Sequence, residues 1–318
     1  MAELIRRIIS GYNMLFNEMP DPRTKSWPLV AKPYQGLTIL FLYLMFVLKW
    51  GPKLMKNRKP FNLDKVMIIY NGVQVICCAY IVVTAITKVW DWGQKYTWVC
   101  EPVDYSESDY AMLVTRTVYL YYLLKIADLA DTIFFVLRKK FNQLSFLHIY
   151  HHAGMVAVIW TAITYLPGGH GSFVGVINSF VHSVMYFYYM LTVAFPAIKQ
   201  YVAFKKLVTQ IQIVQFFLCS IHFGAICFVP DCAYPRWTAA VFLPQNIFML
   251  VLFLDFYIKT YIRKPKQSLC SKNTVVEEKE ESITLDYDTE KVEASLNNKK
   301  EGDLRHLIRS NSKIEKRC

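Results

Sequence analysis

Long apolar runs separated by short polar ones dominate the chain. A membrane-crossing helix needs roughly 18 or more apolar residues. Runs near or above that length fall at residues 34–50, 66–87, 111–137, 144–166, 172–195, 207–229 and 238–261. Residues 1–28 form a polar lead-in punctuated by Pro20, Pro22 and Pro28. Residues 29–265 then make one membrane domain. From residue 266 to 318 the composition turns charged and poor in aromatics, opening into Glu277-Glu-Lys-Glu-Glu-Ser282, and this segment reads as a disordered cytosolic tail. The expected architecture is all-α and polytopic, with seven transmembrane helices enclosing a narrow tunnel open to the cytosol.

Composition agrees with the pattern. The 318 residues are 54% hydrophobic and 15% aromatic, and the mean hydropathy is +0.24, which excludes an ordinary soluble domain. No cleavable signal peptide is evident in residues 1–17, which carry Arg6 and Arg7 but no long apolar core. The net charge of +12 is unevenly placed. Lys53, Lys56, Arg58, Lys59 and Lys65 follow the first run; Arg138, Lys139 and Lys140 follow the third; Lys199, Lys205 and Lys206 follow the fifth; Lys259, Arg263, Lys264 and Lys266 close the last. The alternate loops are poor in positive charge, so the N-terminus is expected on the lumenal side and the C-terminus in the cytosol. The charge follows topology, and the expected surroundings are a lipid bilayer rather than nucleic acid. On this topology Cys100 and Cys232 lie in two loops on the oxidising side and are expected to form a disulfide.

Several runs contain polar residues at helical spacing. His148, His151 and His152 stand at i, i+3 and i+4 and share a helix face. Hydrocarbon offers an imidazole no partner, so such a face within a span points to function. The third run carries Lys125, Asp128, Asp131 and Thr132, the fifth Asn178, His182, Tyr186 and Tyr189, and the sixth Thr209, Gln212 and Gln215. Asp131 and His151 each lie about 9–10 Å in from the same side. One such stripe is explained by interhelical hydrogen bonding. Together, two carboxylates, a lysine and four histidines require a water-accessible chamber. The same helices are apolar further in, which suits a ligand with a polar head and a long hydrocarbon tail.

The ordered set of motifs resembles the fatty acid elongase family, the condensing enzymes called elongation of very long chain fatty acids proteins. Lys125-Ile-Ala-Asp128-Leu-Ala-Asp131-Thr132 resembles the family's KxxExxDT box, with Asp128 where the family usually has Glu. Gln143, Phe146, Leu147, His148, Tyr150, His151 and His152 match QxxFLHxYHH. Asn178, His182, Met185, Tyr186, Tyr188 and Tyr189 resemble NxxxHxxMYxYY, and Thr209, Gln212 and Gln215 resemble TxxQxxQ. The resemblance covers about residues 25–265. It implies an endoplasmic reticulum enzyme, a very-long-chain 3-oxoacyl-CoA synthase. Such an enzyme joins long-chain acyl-CoA to malonyl-CoA and releases CO2 and CoA. No cofactor beyond these substrates is implied; a homodimer and other enzymes of the elongation cycle are the implied protein partners.

On the same basis His151 is the expected acyl acceptor, as an acyl-imidazole, and His182 the contact to the malonyl unit or enolate. His148 and His152 would orient the site, with Asp131 as the carboxylate fixing a histidine tautomer. Asn178, Tyr189 and Gln212 are expected donors lining it, alongside Lys125, Asp128, Thr132, Tyr186 and Gln215 as substrate-binding residues. Arg138 and Lys139 are the expected contacts to CoA phosphates. Two other classes stay open. A di-iron desaturase or hydroxylase also uses HxxHH, but seven histidines with a single such box under-ligate two irons; a single metal on His148, His152, His182 and Asp131 is the remaining form of that reading. A seven-span transporter would use buried charges too.

Overall fold

A computed structural model describes residues 1–263, whose regular structure is entirely helical, with no strand among the described residues. The expected tail, residues 266–318, lies outside them. The first helix, α1 (Ala2–Asn13), falls inside what the sequence presents as a lead-in. Leu4, Ile5, Ile8, Ile9 and Tyr12 recur at helical period, and Glu3 accepts from Arg7 one turn on at 3.2 Å. At 12 residues it is too short to register as a span. The chain after it is fastened to a distant helix end. The Asp21 amide donates to the Thr164 carbonyl at 2.8 Å, and Thr24 Oγ1 donates to the Ile163 carbonyl at 3.0 Å. Asp21 and Arg23 form a buried ion pair at 2.7 Å.

Six helices are long and apolar enough to cross a membrane. They are α2 (Pro33–Met55), α3 (Asp64–Val89), α6 (Phe146–Tyr165), α7 (Gly169–Ala194, including one opening 3-10 turn), α8 (Val202–Phe228) and α9 (Trp237–Ile262). The remaining expected span, residues 111–137, is not continuous. It consists of α4 (Asp109–Ala127) and α5 (Leu129–Leu137), which meet at Asp128. The charges Arg116, Lys125, Asp128 and Asp131 keep this segment from the apolar criterion that the six satisfy. Its start is well specified, because Ser108 Oγ accepts the Ala111 amide as an N-cap at 3.2 Å. The junction leaves the Ala127 carbonyl to accept from the Tyr70 hydroxyl of α3 at 3.1 Å, a bond that hydrocarbon could not supply.

The first span also departs from expectation. The expected run closes at residue 50, yet the helix runs on through Gly51 and Pro52 to Met55. The turn Phe46–Trp50 widens to a π-helix just before Pro52. Proline is tolerated there because it sits in the first turn of the following α-helical stretch.

The most extensive packing is of α3 on α7, α9 on α8, and α4 on α6. One core cluster, including Tyr43, Val47, Cys78, Ile81, Tyr122 and Ile159, joins α2, α3, α4 and α6. A second, with Leu166, Phe223 and Tyr234, surrounds the disulfide between Cys100 and Cys232, whose Cα atoms are 5.8 Å apart. Beside it the rings of His170 and His222 stack at 3.6 Å, and each Nε2 meets the other residue's carbonyl, at 3.0 and 3.1 Å. His170 is fully buried. Large apolar side chains such as Phe41, Ile76, Phe180, Phe217 and Val251 face outward from their helices, as expected of surfaces that meet lipid.

Candidate functional site: a buried ion-pair network beside three histidines

The α4–α5 junction organises the polar interior. Lys125, on the last turn of α4, donates to Asp128 Oδ2 at 2.6 Å and to Asn178 Oδ1 of α7 at 2.9 Å. Its Nζ also lies 3.3 Å from Nδ1 of His182, one turn along α7. Both ion-pair side chains are 3% exposed. A pair that buried is sound only when its remaining hydrogen-bonding positions are filled. They are filled here: Asp128 Oδ1 accepts from Gln74 Nε2 of α3 and from the Tyr186 hydroxyl, both at 2.9 Å. Three donors, Lys125, Gln74 and Tyr186, thus converge on the Asp128 carboxylate.

Asp131 does not take the role expected of it. Its Oδ2 shares the single Tyr186 hydroxyl proton with Asp128 Oδ1, at 2.7 and 2.9 Å, whereas His148 Nε2 pairs with Thr132 Oγ1 at 3.0 Å. Successive residues on a helix point about 100° apart, so on α5 it is Thr132 that faces α6. Thr132 in turn meets the Tyr43 hydroxyl of α2 at 2.9 Å. The histidine face of α6 starts at an N-cap, since Ser145 Oγ accepts the His148 amide at 3.2 Å. The His148 and His152 rings lie 4.2 Å apart, and His151 presents its ring to Phe216 of α8 at 6.0 Å. Nδ1 of His151 is buried without a hydrogen-bond partner among the described residues.

The remaining candidates are less centrally placed. Gln215 is buried, Gln212 Nε2 contacts Met185 Sδ at 3.5 Å, and Tyr189 packs 6.2 Å from the Tyr186 ring while 38% exposed. Arg138 and Lys139 are engaged away from the histidines. Arg138 pairs with Asp64 at 3.1 Å, and Lys139 Nζ donates to the carbonyls of Lys56 and Arg58, at 3.3 and 2.9 Å. Both therefore tie down the segment joining α2 to α3. Lys139 sits at φ 56, in the left-handed region. Among the described residues no group of three or more His, Cys, Asp or Glu is arranged to hold a metal ion. Of the four ligands in the single-metal reading, His148 meets Thr132 through Nε2, His182 meets Lys125 through Nδ1 and Asp131 meets Tyr186.

Tyr43, Tyr70, Gln74 and Tyr121 belong to this network but were missed in the sequence, where each stands alone among apolar neighbours. A signal existed in the second run. Asn71, Gln74, Cys78 and Ile81 recur at helical spacing and are all buried. Tyr121 has two surroundings. Its hydroxyl donates to Asn178 Oδ1 at 2.8 Å, and it also lines an apolar cavity of about 100 Å³. Ile81, Ile159, Val174, Gly175 and Tyr234 share that lining, which extends from the polar network toward the disulfide end.

Fold and site together define a polytopic helical membrane protein with clustered imidazoles and a buried polar network that meets an apolar cavity at Tyr121. Residues 28–269 match the model of the ELO family, described as GNS1/SUR4, and the chain belongs to that family. It is 41% identical over 264 residues to very long chain fatty acid elongase 7 of Rattus norvegicus, covering 82% of this chain and 92% of the relative. It is 41% identical over 258 residues to very long chain fatty acid elongase 1 of Mus musculus (80% and 91% covered). With very long chain fatty acid elongase 4 of Homo sapiens it shares 38% over 256 residues, 80% of each chain.

Proposed function

We propose that this chain is the condensing enzyme of fatty acid elongation, joining a long-chain acyl-CoA to malonyl-CoA. Its relatives are named as very long chain fatty acid elongases. The observation that carries the reading to the residues is the double placement of Tyr121, bonded to the polar network at one end and lining the apolar cavity along its ring. A thioester carbon at the imidazoles can then extend its tail into the cavity. Along α6 the lining spans Val158 to Ala162, about 6 Å of helix rise.

In this reading a ring nitrogen of His151 attacks the thioester carbonyl. The C–S bond breaks, CoA leaves as the thiol with the imidazole proton, and an acyl-imidazole remains. Malonyl-CoA then loses CO2, the electron pair of the broken C–C bond forming an enolate. The enolate carbon attacks the acyl carbon, and the imidazole leaves and regains a proton from solvent. The products are 3-ketoacyl-CoA, CO2 and CoA. The unpartnered Nδ1 of His151 and its half-buried position support it as acceptor. The nearby buried thiols, Cys78 and Cys219, belong to the packed clusters.

Seven crossings follow if α4 and α5 count as one. The basic loops then face the cytosol, the disulfide end faces the lumen of the endoplasmic reticulum, and the tunnel opens at the basic end. Residues 29–265 constitute the enzyme domain, which needs no cofactor. A homodimer and contacts with the other cycle enzymes complete the proposal. The test is acyl transfer from labelled acyl-CoA in the absence of malonyl-CoA. His151→Ala should abolish the trapped acyl-enzyme; a variant that still accumulates it would move the acceptor elsewhere. Malonyl-CoA-dependent release of CO2 by the purified protein separates this reading from a transporter.

A further inference from the structure

His182 is 5% exposed and its two ring nitrogens have different surroundings. Nδ1 lies 3.3 Å from Lys125 Nζ and 3.5 Å from Asp128 Oδ2. Nε2 makes no hydrogen bond among the described residues. A lysine ammonium has three N–H bonds and can accept none. Lys125 places one on Asp128 at 2.6 Å and one on Asn178 at 2.9 Å, which leaves one for His182. Nδ1 must then offer its lone pair. The opposite arrangement, an Nδ1–H donated to Asp128, would span 3.5 Å, beyond a sound hydrogen bond. It would also compete for an oxygen already held by the ammonium.

We infer that Lys125 fixes His182 as the Nε2–H tautomer, so that this histidine serves the condensation as a neutral hydrogen-bond donor to the developing enolate oxygen and not as a base. A neutral imidazole with one nitrogen occupied carries its proton on the other. A donor held in place before charge develops needs no reorganisation when it does. No proton changes hands: His182 gives a hydrogen bond to the oxygen that gains charge as CO2 departs, and keeps its proton as the new C–C bond forms. Lys125 is the positioning residue. Asp128, Asn178, Gln74 and Tyr186 hold it, directly or through Asp128, from α3, α7 and the α4–α5 junction. The inference deepens the proposed function and rests on it for the identity of the oxygen, but the tautomer itself can be read without activity.

The experiment is 15N NMR of detergent-solubilised full-length protein labelled at histidine, with His182→Gln assigning the resonance. Wild type should show an Nε2–H, Nδ1-acceptor pattern for His182. The double variant Lys125→Met/Asp128→Asn removes both charges together and so avoids stranding a buried carboxylate. It should lose that pattern. In kinetics the double variant should slow condensation by about 10²–10³, the range for removing one such donor. His182→Gln, which still offers an N–H, should retain more condensation than His182→Ala. An Nδ1–H signal in wild type, or Gln and Ala variants equally inactive in condensation, overturns the inference. An Nε2–H signal in a protein that forms no acyl-enzyme leaves the tautomer standing and refutes the proposed reaction.

Discussion

If the acyl tail lies in the apolar cavity, filling that cavity from α7 must shorten the product. Gly175 is the position to fill. A Cβ there would meet Tyr121 Cδ1 at 3.5 Å, an ordinary contact, so Gly175→Ala should be accepted and Gly175→Leu should project into the cavity. Ser172 also lines it, three residues nearer the disulfide end. That separation is about 4.5 Å along the helix. An extended hydrocarbon chain advances about 1.25 Å per carbon, from 1.52 Å bonds at tetrahedral angles. A plug at Gly175 instead of Ser172 therefore removes room for about three to four carbons. Each methylene kept from burial loses about 0.8 kcal/mol, and the sum, about 2.4–3.2 kcal/mol, is a roughly 50- to 200-fold preference against the longest acceptors. The assay is product profiling by mass spectrometry with acyl-CoAs of graded length. Gly175→Leu should stop at shorter products than Ser172→Leu, with initial rates on short acceptors preserved. An active Gly175→Leu variant with an unchanged profile would show that the tail lies elsewhere.

Other outcomes follow from the same contacts. Asp128→Glu restores the family's usual residue but adds a methylene where three partners already fit the aspartate; it should lower stability by about 1–3 kcal/mol, and a melting temperature equal to wild type would refute the fit. Tyr70→Phe deprives the Ala127 carbonyl of its donor and should cost about 1–3 kcal/mol in thermal or denaturant unfolding in detergent. Cys100→Ser should remove a mobility difference between reducing and non-reducing gels and destabilise by about 2–5 kcal/mol, given the 132-residue separation of the bonded cysteines. Arg138→Gln breaks a partly exposed pair worth about 0–1 kcal/mol. It should raise KM for acyl-CoA with kcat held; an unchanged KM leaves Arg138 with only its bond to Asp64.

Much of the site was legible because hydrocarbon makes polar residues conspicuous. His148, Lys125, Asp128, Asn178 and His182 stand out against their neighbours, and helical spacing alone puts each group on one face. What spacing could not give was azimuth. Asp131 and Thr132 are adjacent, and only the packing of α5 against α6 decides which meets a histidine. Nor could it show the tyrosines. Tyr43, Tyr70 and Tyr121 read as apolar bulk in a chain with 21 tyrosines, and their hydroxyls acquire meaning only when a partner on another helix arrives. The helix α1 was passed over for length, since a search for spans ignores an amphipathic stretch of 12 residues. The junction at Asp128 was hidden because no glycine or proline marks it.

That junction bears on how the protein is made. Segment 109–137 carries five formal charges and depends on Tyr70 and Gln74 of α3, and on Asn178 and Tyr186 of α7, for its hydrogen bonds. Threaded into lipid alone, as a ribosome would deliver it, it has nothing to bond to. It has to be sheltered during biogenesis until α7, synthesised dozens of residues later, emerges to close around it.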